Sequence, residues 1–544
     1  MALTARRMDD VLDRLAQARR AVERAPLAPN VGALFDAAVA RYGDRPLWVD
    51  ADGGASLSYA AFNAEVTRCV GALNRLGVTQ GTHVALMLPS VPALAITWMA
   101  LAKLGAVMLP VNTRYTAPEL AHVLRTGDAE FLIIDATHRD LIEGDHAPAL
   151  PRDRIVIHDG RADSYVGEWR ALLDDAGALP ALPPIDPDAL MTLQFTSGST
   201  GAPKACMLPH LYWTTIAAVR AQQGPPVTRM LVDMPFHYMG GQWRFLLALM
   251  FGATAYVARQ PSLTKLIDRL VAHDIEFCSV TPALAKQALD PRRKALKLRW
   301  AGTMALPADL HHPLEAQLGG APVREMYGLT ETGAALAMPV EVDWMTGSGA
   351  IGLPVPFRTL RIVDAAGKDV PPGATGELLI SGPGMMRGYY KRDDATREVF
   401  RDGWFRSGDL FRRDADGFFT IVGRIKDVIR RSGENISATE IEAALCAIPE
   451  ITEAAAIGVP DAKRGEELKV CVVLKPGLTA EDLPPQRIMK LCRARLARFK
   501  LPRYISYHAD LPKTPSGKIA KPDLRPAGAD PRLASFDTEE GIWR

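Results

Sequence analysis

The sequence predicts an α/β fold: a large N-terminal domain of stacked, mostly parallel αβα layers with a small β-rich subdomain, followed by a small α+β C-terminal domain. Three observations carry this. Apolar strand-like runs alternate with amphipathic helical stretches from residue 31 to about residue 288, the rhythm of parallel strands whose two sheet faces are covered by helices. At 544 residues the chain exceeds a single core, and length alone suggests about three to four domain-sized units. The texture then changes twice, at Gly349, where short strands alternate with Gly, Pro and Asp turns, and after Gly423, where a compact α+β pattern begins.

Residues 1–26 mix acidic and basic side chains without an apolar centre, which excludes a secretory signal and reads as a surface helix. Helical spacing follows at 31–42, then strand, Gly-rich turn and strand at 47–57, an amphipathic helix at 58–76 and an apolar strand at 83–88. The stretch 91–111 approaches a bilayer span in apolar length. Pro92, Lys103, Gly105 and Pro110 instead divide it into a buried helix and a buried strand. A helix at 118–126 and a strand at 131–135 come next. Four prolines within 180–187 mark a connector. The alternation resumes with strands at 191–195, 230–234, 254–258 and 277–280, and helices from Leu211 and at 242–251, 263–273 and 282–288.

Strands at 360–364, 376–381 and 418–422 form the β-rich unit. Ser437 and Glu440 have capping-box spacing and open a helix to Ala447. Strands at 454–459 and 470–474 and a helix at 486–497 complete the C-terminal domain, and 526–544 reads as a loose tail.

Composition is that of an average globular protein, 48% apolar and 23% charged. A formal net charge of +2 gives no electrostatic reason to expect nucleic acid or an anionic membrane as partner. Cys69, Cys206, Cys278, Cys446, Cys471 and Cys492 show no CxxC pair or metal spacing, which points to reduced thiols and a cytoplasmic protein.

The chemistry concentrates first at residues 193–208, LQFTSGSTGAPKACML. A strand-like run breaks into Thr196, Ser197, Gly198, Ser199, Thr200 and Gly201, with Lys204 close behind. Such a run cannot fill a core. It reads either as a solvent loop or as a cradle turning N–H groups, hydroxyls and a lysine toward phosphate. Pro203 precedes the lysine and no Ser or Thr follows it, which argues against a P-loop NTPase.

Further motifs lie downstream: YGLTET at 327–332, SGDL at 407–410, GRIKD at 423–427, GENI at 433–436 and PKTPSGKI at 512–519. In this order and spacing the set resembles the adenylate-forming superfamily of acyl-CoA synthetases, nonribosomal-peptide adenylation domains and beetle luciferase, from about residue 31 to 524. The resemblance implies ATP-dependent activation of a carboxylic acid to acyl-AMP with pyrophosphate release, then transfer to CoA. Rival readings are transfer to a carrier-protein pantetheine or other acceptor, and a catalytically inactive nucleotide-binding regulator.

It also implies site residues. Thr196 to Gly201 and Lys204 would hold the β- and γ-phosphates. Tyr327 would stack on adenine, beside Gly302 and Gly328. Thr330 would meet the α-phosphate, and Glu331 would bind Mg²⁺. Asp409 would accept the ribose hydroxyls, with Arg424 beside it. Lys518 would bridge carboxylate and α-phosphate. Alone, YGLTET also reads as a turn opening a helix, with Thr330 as its cap. The resemblance divides the chain at a hinge, Lys426, into residues 1–425 and a mobile lid, 426–544. Rotation of that lid would bring Gly433, Glu434 and Asn435 to the CoA side.

His237, in MPFHYMGG, matches a gate between acid pocket and thiol tunnel, although a histidine beside Phe and Tyr also reads as packed core. The acid pocket is expected along 236–243 and 300–306. His237 and Tyr238 stand where amino-acid-activating relatives carry an Asp, which disfavours an α-amino acid. The pattern resembles the carnitine/crotonobetaine, medium-chain and aryl ligase branches, within lipid or fatty-acid metabolism. Arg244 is expected on a helix surface, with a second substrate carboxylate as the other reading. No integral membrane segment is expected, and the protein is expected as a monomer or homodimer.

Overall fold

Continuous apolar runs form buried parallel strands, and two such sheets build the larger part of the protein. The computed structural model describes residues 5–143, 149–163, 165–196, 203–431, 434–461, 464–496, 498–514, 517–525 and 530–544. The chain divides into two compact units, Met1–Leu360 with Ile380–Phe405, and Arg361–Leu379 with Arg406–Arg544.

In the first unit, one seven-stranded sheet runs Gly167–Glu168, Ile155–His158, Phe131–Asp135, His83–Met87, Val107–Pro110, Leu190–Thr196 and Lys204–Pro209. All neighbours are parallel except the last pair. A nine-stranded sheet runs Leu353–Pro354, Gly333–Ala337, Val323–Leu329, Trp300–Thr303, Phe277–Ser279, Arg229–Val232, Thr254–Val257, Pro46–Asp50 and Ser56–Ser58. Its centre is parallel, and the pairs at both ends are antiparallel.

The divided apolar stretch folds as read. Pro92 opens the Pro92–Leu104 helix and Gly105, in the left-handed region, closes it. Nearly every residue of that helix, Trp98 included, is buried in the main core, which also holds Trp213 and Phe245. No described helix is long and apolar enough to cross a membrane. The N-terminal helix forms at Ala5–Arg24, and Glu23 accepts from the Phe357 N–H at 3.0 Å.

The second unit contains the Phe419–Arg424 strand paired antiparallel with Trp404–Arg413. It also holds a second seven-stranded sheet built on the long Ile451–Asp461 and Gly465–Leu474 hairpin. Ser437 caps the Ala438–Cys446 helix by accepting from the Glu440 N–H, as its spacing predicts. Ile441, Leu445, Val470 and Ile505 form this unit's core.

Two expectations are corrected, and one strand is new. Residues 282–288 form a short 3-10 turn, Pro282–Lys286, rather than an α-helix. The Lys204–Pro209 strand was not anticipated. It pairs with Leu190–Thr196 because Ala205, Cys206 and Leu208 continue the apolar run. The tail is not loose over residues 530–544: Phe536–Asp537 and Ile542–Trp543 extend the second unit's sheet. Buried Asp537 receives Arg544 at 2.9 Å and Arg503 at 3.4 Å, a complementarity that local sequence pattern cannot reveal.

Candidate active site

In the first unit, the antiparallel pairing of Leu190–Thr196 with Lys204–Pro209 sets Thr196 opposite Lys204, so the two ends of the Ser/Gly run are fixed. Ser197, Gly198, Ser199, Thr200 and Gly201 lie outside the described residues. The Lys204 ammonium lies 5.0 Å from the centre of the Tyr389 ring. The Tyr389 hydroxyl donates to Glu331 Oε1 at 2.8 Å. Tyr389 thus connects the base of the Ser/Gly loop to the YGLTET segment, and burial together with the Glu331 carboxylate raises its phenol pKa. Burial and the same carboxylate push the Cys206 thiol well up, which keeps it protonated.

YGLTET opens a β-hairpin and not a helix. Val323–Leu329 and Gly333–Ala337 pair across a turn that presents Thr330 and Glu331. Tyr327 is buried, and Gly328 sits where a Cβ would come 2.3 Å from the Gly333 carbonyl. Gly302, on Trp300–Thr303, pairs with Arg324 on that hairpin's first strand. Buried Arg358 fastens the turn from beneath, donating to the Thr332 carbonyl at 2.6 Å and the Gly384 carbonyl at 3.1 Å. Desolvation lowers its pKa to about 10, which leaves it charged at neutral pH.

His237 is buried, with its ring centre 4.5 Å from that of Tyr238. Burial, helped by Arg114, lowers its pKa to about 4, so the imidazole is neutral at physiological pH. Its carbonyl accepts from Gln194 Nε2 at 2.9 Å, and Gln242 Nε2 donates to the Phe236 carbonyl at 2.6 Å. Two buried amides therefore lock the 236–237 backbone against the strand that carries Thr196. Arg244 is not on a surface. It is buried, and its Nη1 donates to the Gly240 carbonyl at 2.6 Å.

The second unit brings Asp409, Arg424 and Lys518 together. Asp409 is buried and its Oδ1 lies 2.9 Å from Arg424 Nε. The SGDL turn is set by Gly408 in the left-handed region and by Ser407 Oγ, which accepts from the Asp409 N–H at 3.1 Å. Lys518 lies on a tight loop where Gly517 takes φ +81° and Lys513 bridges Ile519. Its pKa is lowered by desolvation and by the Arg424 charge, with Asp409 opposing.

Just beyond, Lys521 Nζ reaches Glu442 at 2.8 Å and Asp427 at 3.7 Å. Lys426 sits in the Ile425–Asp427 turn, and Glu434 and Asn435 in a strand paired with Val428–Arg431. The side chains of these three, and Gly433 entirely, lie outside the described residues. A cleft of about 330 Å³ lined by residues 474–480 and 507–509 holds none of the motif residues.

Sequence reasoning missed Tyr389, Arg358 and Gln194. Each acts through a partner distant in the chain, and only the GYY context of Tyr389 beside a Gly-rich turn offered any local signal.

The first unit thus carries two largely parallel sheets and the Thr-Glu hairpin, and the second carries a lysine loop beside a buried Asp, features of an adenylate-forming enzyme. The chain belongs to the AMP-binding enzyme family, which matches residues 35–390, with the AMP-binding enzyme C-terminal domain matching 440–518. It is 33% identical over 482 residues to a feruloyl-CoA synthase of an Amycolatopsis species, covering 87% of this chain and 94% of that protein. It is 31% identical to an indoleacetate–CoA ligase of Aromatoleum aromaticum, covering 86% and 92%. The ATP-bound structure of MatB from Rhodopseudomonas palustris superposes with a TM-score of 0.79 at 26% identity, covering 92% and 98%.

The protein is an AMP-forming acyl-CoA synthetase. It uses ATP to convert a carboxylic acid to acyl-AMP and then transfers the acyl group to CoA.

Proposed function

We propose that the residues brought together in each unit divide this reaction between them. Thr196, Ser197, Gly198, Ser199, Thr200, Gly201 and Lys204 grip the β- and γ-phosphates of ATP. Tyr327 stacks on adenine over Gly302 and Gly328, and Thr330 contacts the α-phosphate. Asp409 takes the ribose hydroxyls with Arg424 alongside, and Lys518 bridges the attacking carboxylate and the α-phosphorus. The observation that carries the lysine's role is its convergence with Asp409 and Arg424 from a distant part of the chain. A charged ammonium there offsets the negative charge that gathers as the carboxylate oxygen attacks phosphorus and pyrophosphate leaves.

A single carboxylate at Glu331, oriented by Tyr389, suits Mg²⁺, which takes one or two protein carboxylates and completes its shell with phosphate and water. Bound there, the ion would neutralise phosphate charge. After adenylation, rotation of residues 426–544 about Lys426 withdraws Lys518 and turns Gly433, Glu434 and Asn435 toward the CoA thiol. Neutral His237 gates the path from the acid pocket to that thiol. The absence of an acid after Phe236 supports an acid without an α-ammonium group. We further propose a cytoplasmic monomer or homodimer.

The test is ATP- and acid-dependent pyrophosphate release over a broad acid panel, with thioester analysis after CoA is added. Acyl-CoA and AMP are the expected products. Failure of every acid to give an adenylate overturns the reading.

A further inference from the structure

The interior against the 236–243 segment holds two buried guanidiniums and one facing carboxylate, Asp233. Arg220, ending the His210–Arg220 helix, and Arg244, on Met239–Phe251, are each more than nine-tenths buried. Both guanidiniums lie 4.4 Å from the Trp243 ring centre. Arg220 Nη1 donates to Gln223 Oε1 at 2.9 Å and touches the Met326 sulfur, while Arg244 Nη1 donates to the Gly240 carbonyl at 2.6 Å. The Nε atoms of both arginines, Gln223 Nε2 and Trp300 Nε1 are buried donors without an acceptor among the described residues. Cation–π contact with Trp243 and a thioether soften the charges without neutralising them.

Asp233 is the carboxylate that faces Arg244; burial raises its pKa against the pull of that guanidinium, and its Oδ1 is itself buried without a partner among the described residues. Desolvation and the mutual repulsion of the two arginines lower Arg220 to about 9, still charged at neutral pH. One carboxylate against two buried guanidiniums leaves a positive charge whose burial is costly unless a further anion joins them.

The surroundings are shaped around these donors. A Cβ at Gly240 would come 2.9 Å from Arg244 Nη1, and one at Gly224 would come 2.5 Å from the Trp300 ring. The cluster also touches the candidate site on two sides. Arg244 bonds to the 236–243 segment, and Arg220 reaches Met326, the residue before Tyr327. Gly302 adjoins Met326 and Ser279 in the same place.

We infer that the acid activated by this enzyme carries a second anionic group, carboxylate or sulfonate, remote from the reacting carboxylate, and that Arg220 and Arg244 seat it with Gln223 and Trp300 as neutral donors. This rests on the ligase reading and narrows its substrate class. The same two cations repel an acid bearing a quaternary ammonium, so carnitine-like acids are disfavoured.

The test uses the full-length enzyme and matched acids: propionate with succinate, hexanoate with adipate, and phenylacetate with its para-carboxy and para-sulfo derivatives. The readout is kcat/KM for ATP-dependent pyrophosphate release. The dianionic member is expected to be favoured by about ten- to a hundredfold in at least one pair, the span of one or two charge-assisted hydrogen bonds. Carboxylate and sulfonate arms distinguish the two sources of the anion.

Arg244→Leu and Arg220→Gln are each expected to collapse that ratio, chiefly through KM. If either variant does not fold, thermal protection of the unaltered enzyme by dianionic over monoanionic acids gives the same comparison. Preference for monoacids or ammonium acids, or an unchanged ratio in both folded variants, overturns the inference and leaves the ligase intact. Absence of pyrophosphate from every acid overturns the ligase reading itself.

Discussion

Asp409 and Arg424 face each other across paired antiparallel strands, the buried carboxylate 2.9 Å from the half-exposed guanidinium. The pair is asymmetric: its anion is fully enclosed and its cation reaches solvent. Arg424→Ala therefore takes one counter-charge from a buried carboxylate. The cost is expected at about 2 kcal/mol, between that of exposed and enclosed pairs. ATP saturation should weaken with it, and Asp409→Asn should weaken ATP saturation further while preserving shape. Urea unfolding and KM for ATP check both, and a Arg424→Ala variant with unchanged ATP KM would remove Arg424 from the nucleotide site.

Lys518 separates the two half-reactions. Lys518→Ala should slow adenylation by at least about a hundredfold, the scale of losing one preorganised charge at a reacting centre. Thiolysis of supplied acyl-adenylate by CoA should remain largely intact, because the proposed rotation withdraws the lysine before that step. Equal loss of both steps in rapid-quench assays would refute the assigned role.

The parallel layers were legible because strands buried on both faces read as unbroken apolar runs, as at Phe131–Asp135. The motif residues were legible because Ser/Gly, Thr-Glu and Gly-Lys clusters cannot be core. Their supports were not. Tyr389, Arg358 and Gln194 work through partners that only the folded chain brings near, and nothing local marks them. Arg244 misled for a related reason: on an amphipathic helix a charge faces water, but Met239–Phe251 is buried almost all round. The tail misled because its strands are two residues long and held by distant ion pairs.

Tyr389 links Lys204 to Glu331, so removing its hydroxyl should free the Glu331 carboxylate while the ring keeps its place against the lysine. Tyr389→Phe is expected to raise the Mg²⁺ concentration for half-maximal adenylation by about fivefold, the equivalent of one hydrogen bond of about 1 kcal/mol. Thermal stability should change little. A Mg²⁺ titration of pyrophosphate release decides it: an unshifted curve would show that the hydroxyl does not orient the metal-binding group.

Glu325 ties the pocket segment to the nucleotide hairpin, accepting from the Leu306 N–H at 2.9 Å, two residues before Tyr327. Burial raises its pKa from 4.5 to about 7, against the pull of the Leu306 and Ala305 N–H groups and His311. For an acid whose folded pKa lies above its unfolded one, the unfolded chain releases its proton first as pH rises. Its contribution is thus complete below about pH 4.5, declines between 4.5 and 7, and stays reduced above. At about 1.4 kcal/mol per unit, the full penalty above pH 7 is about 3 kcal/mol. Glu325→Gln keeps an acceptor for Leu306 without the ionisation. The variant should match the unaltered enzyme near pH 4.5 and exceed it by about 2–3 kcal/mol at pH 8 in urea unfolding. A difference that does not grow with pH, or a variant less stable at pH 8, would mean that Glu325 is ionised in the fold and held by a stronger partner.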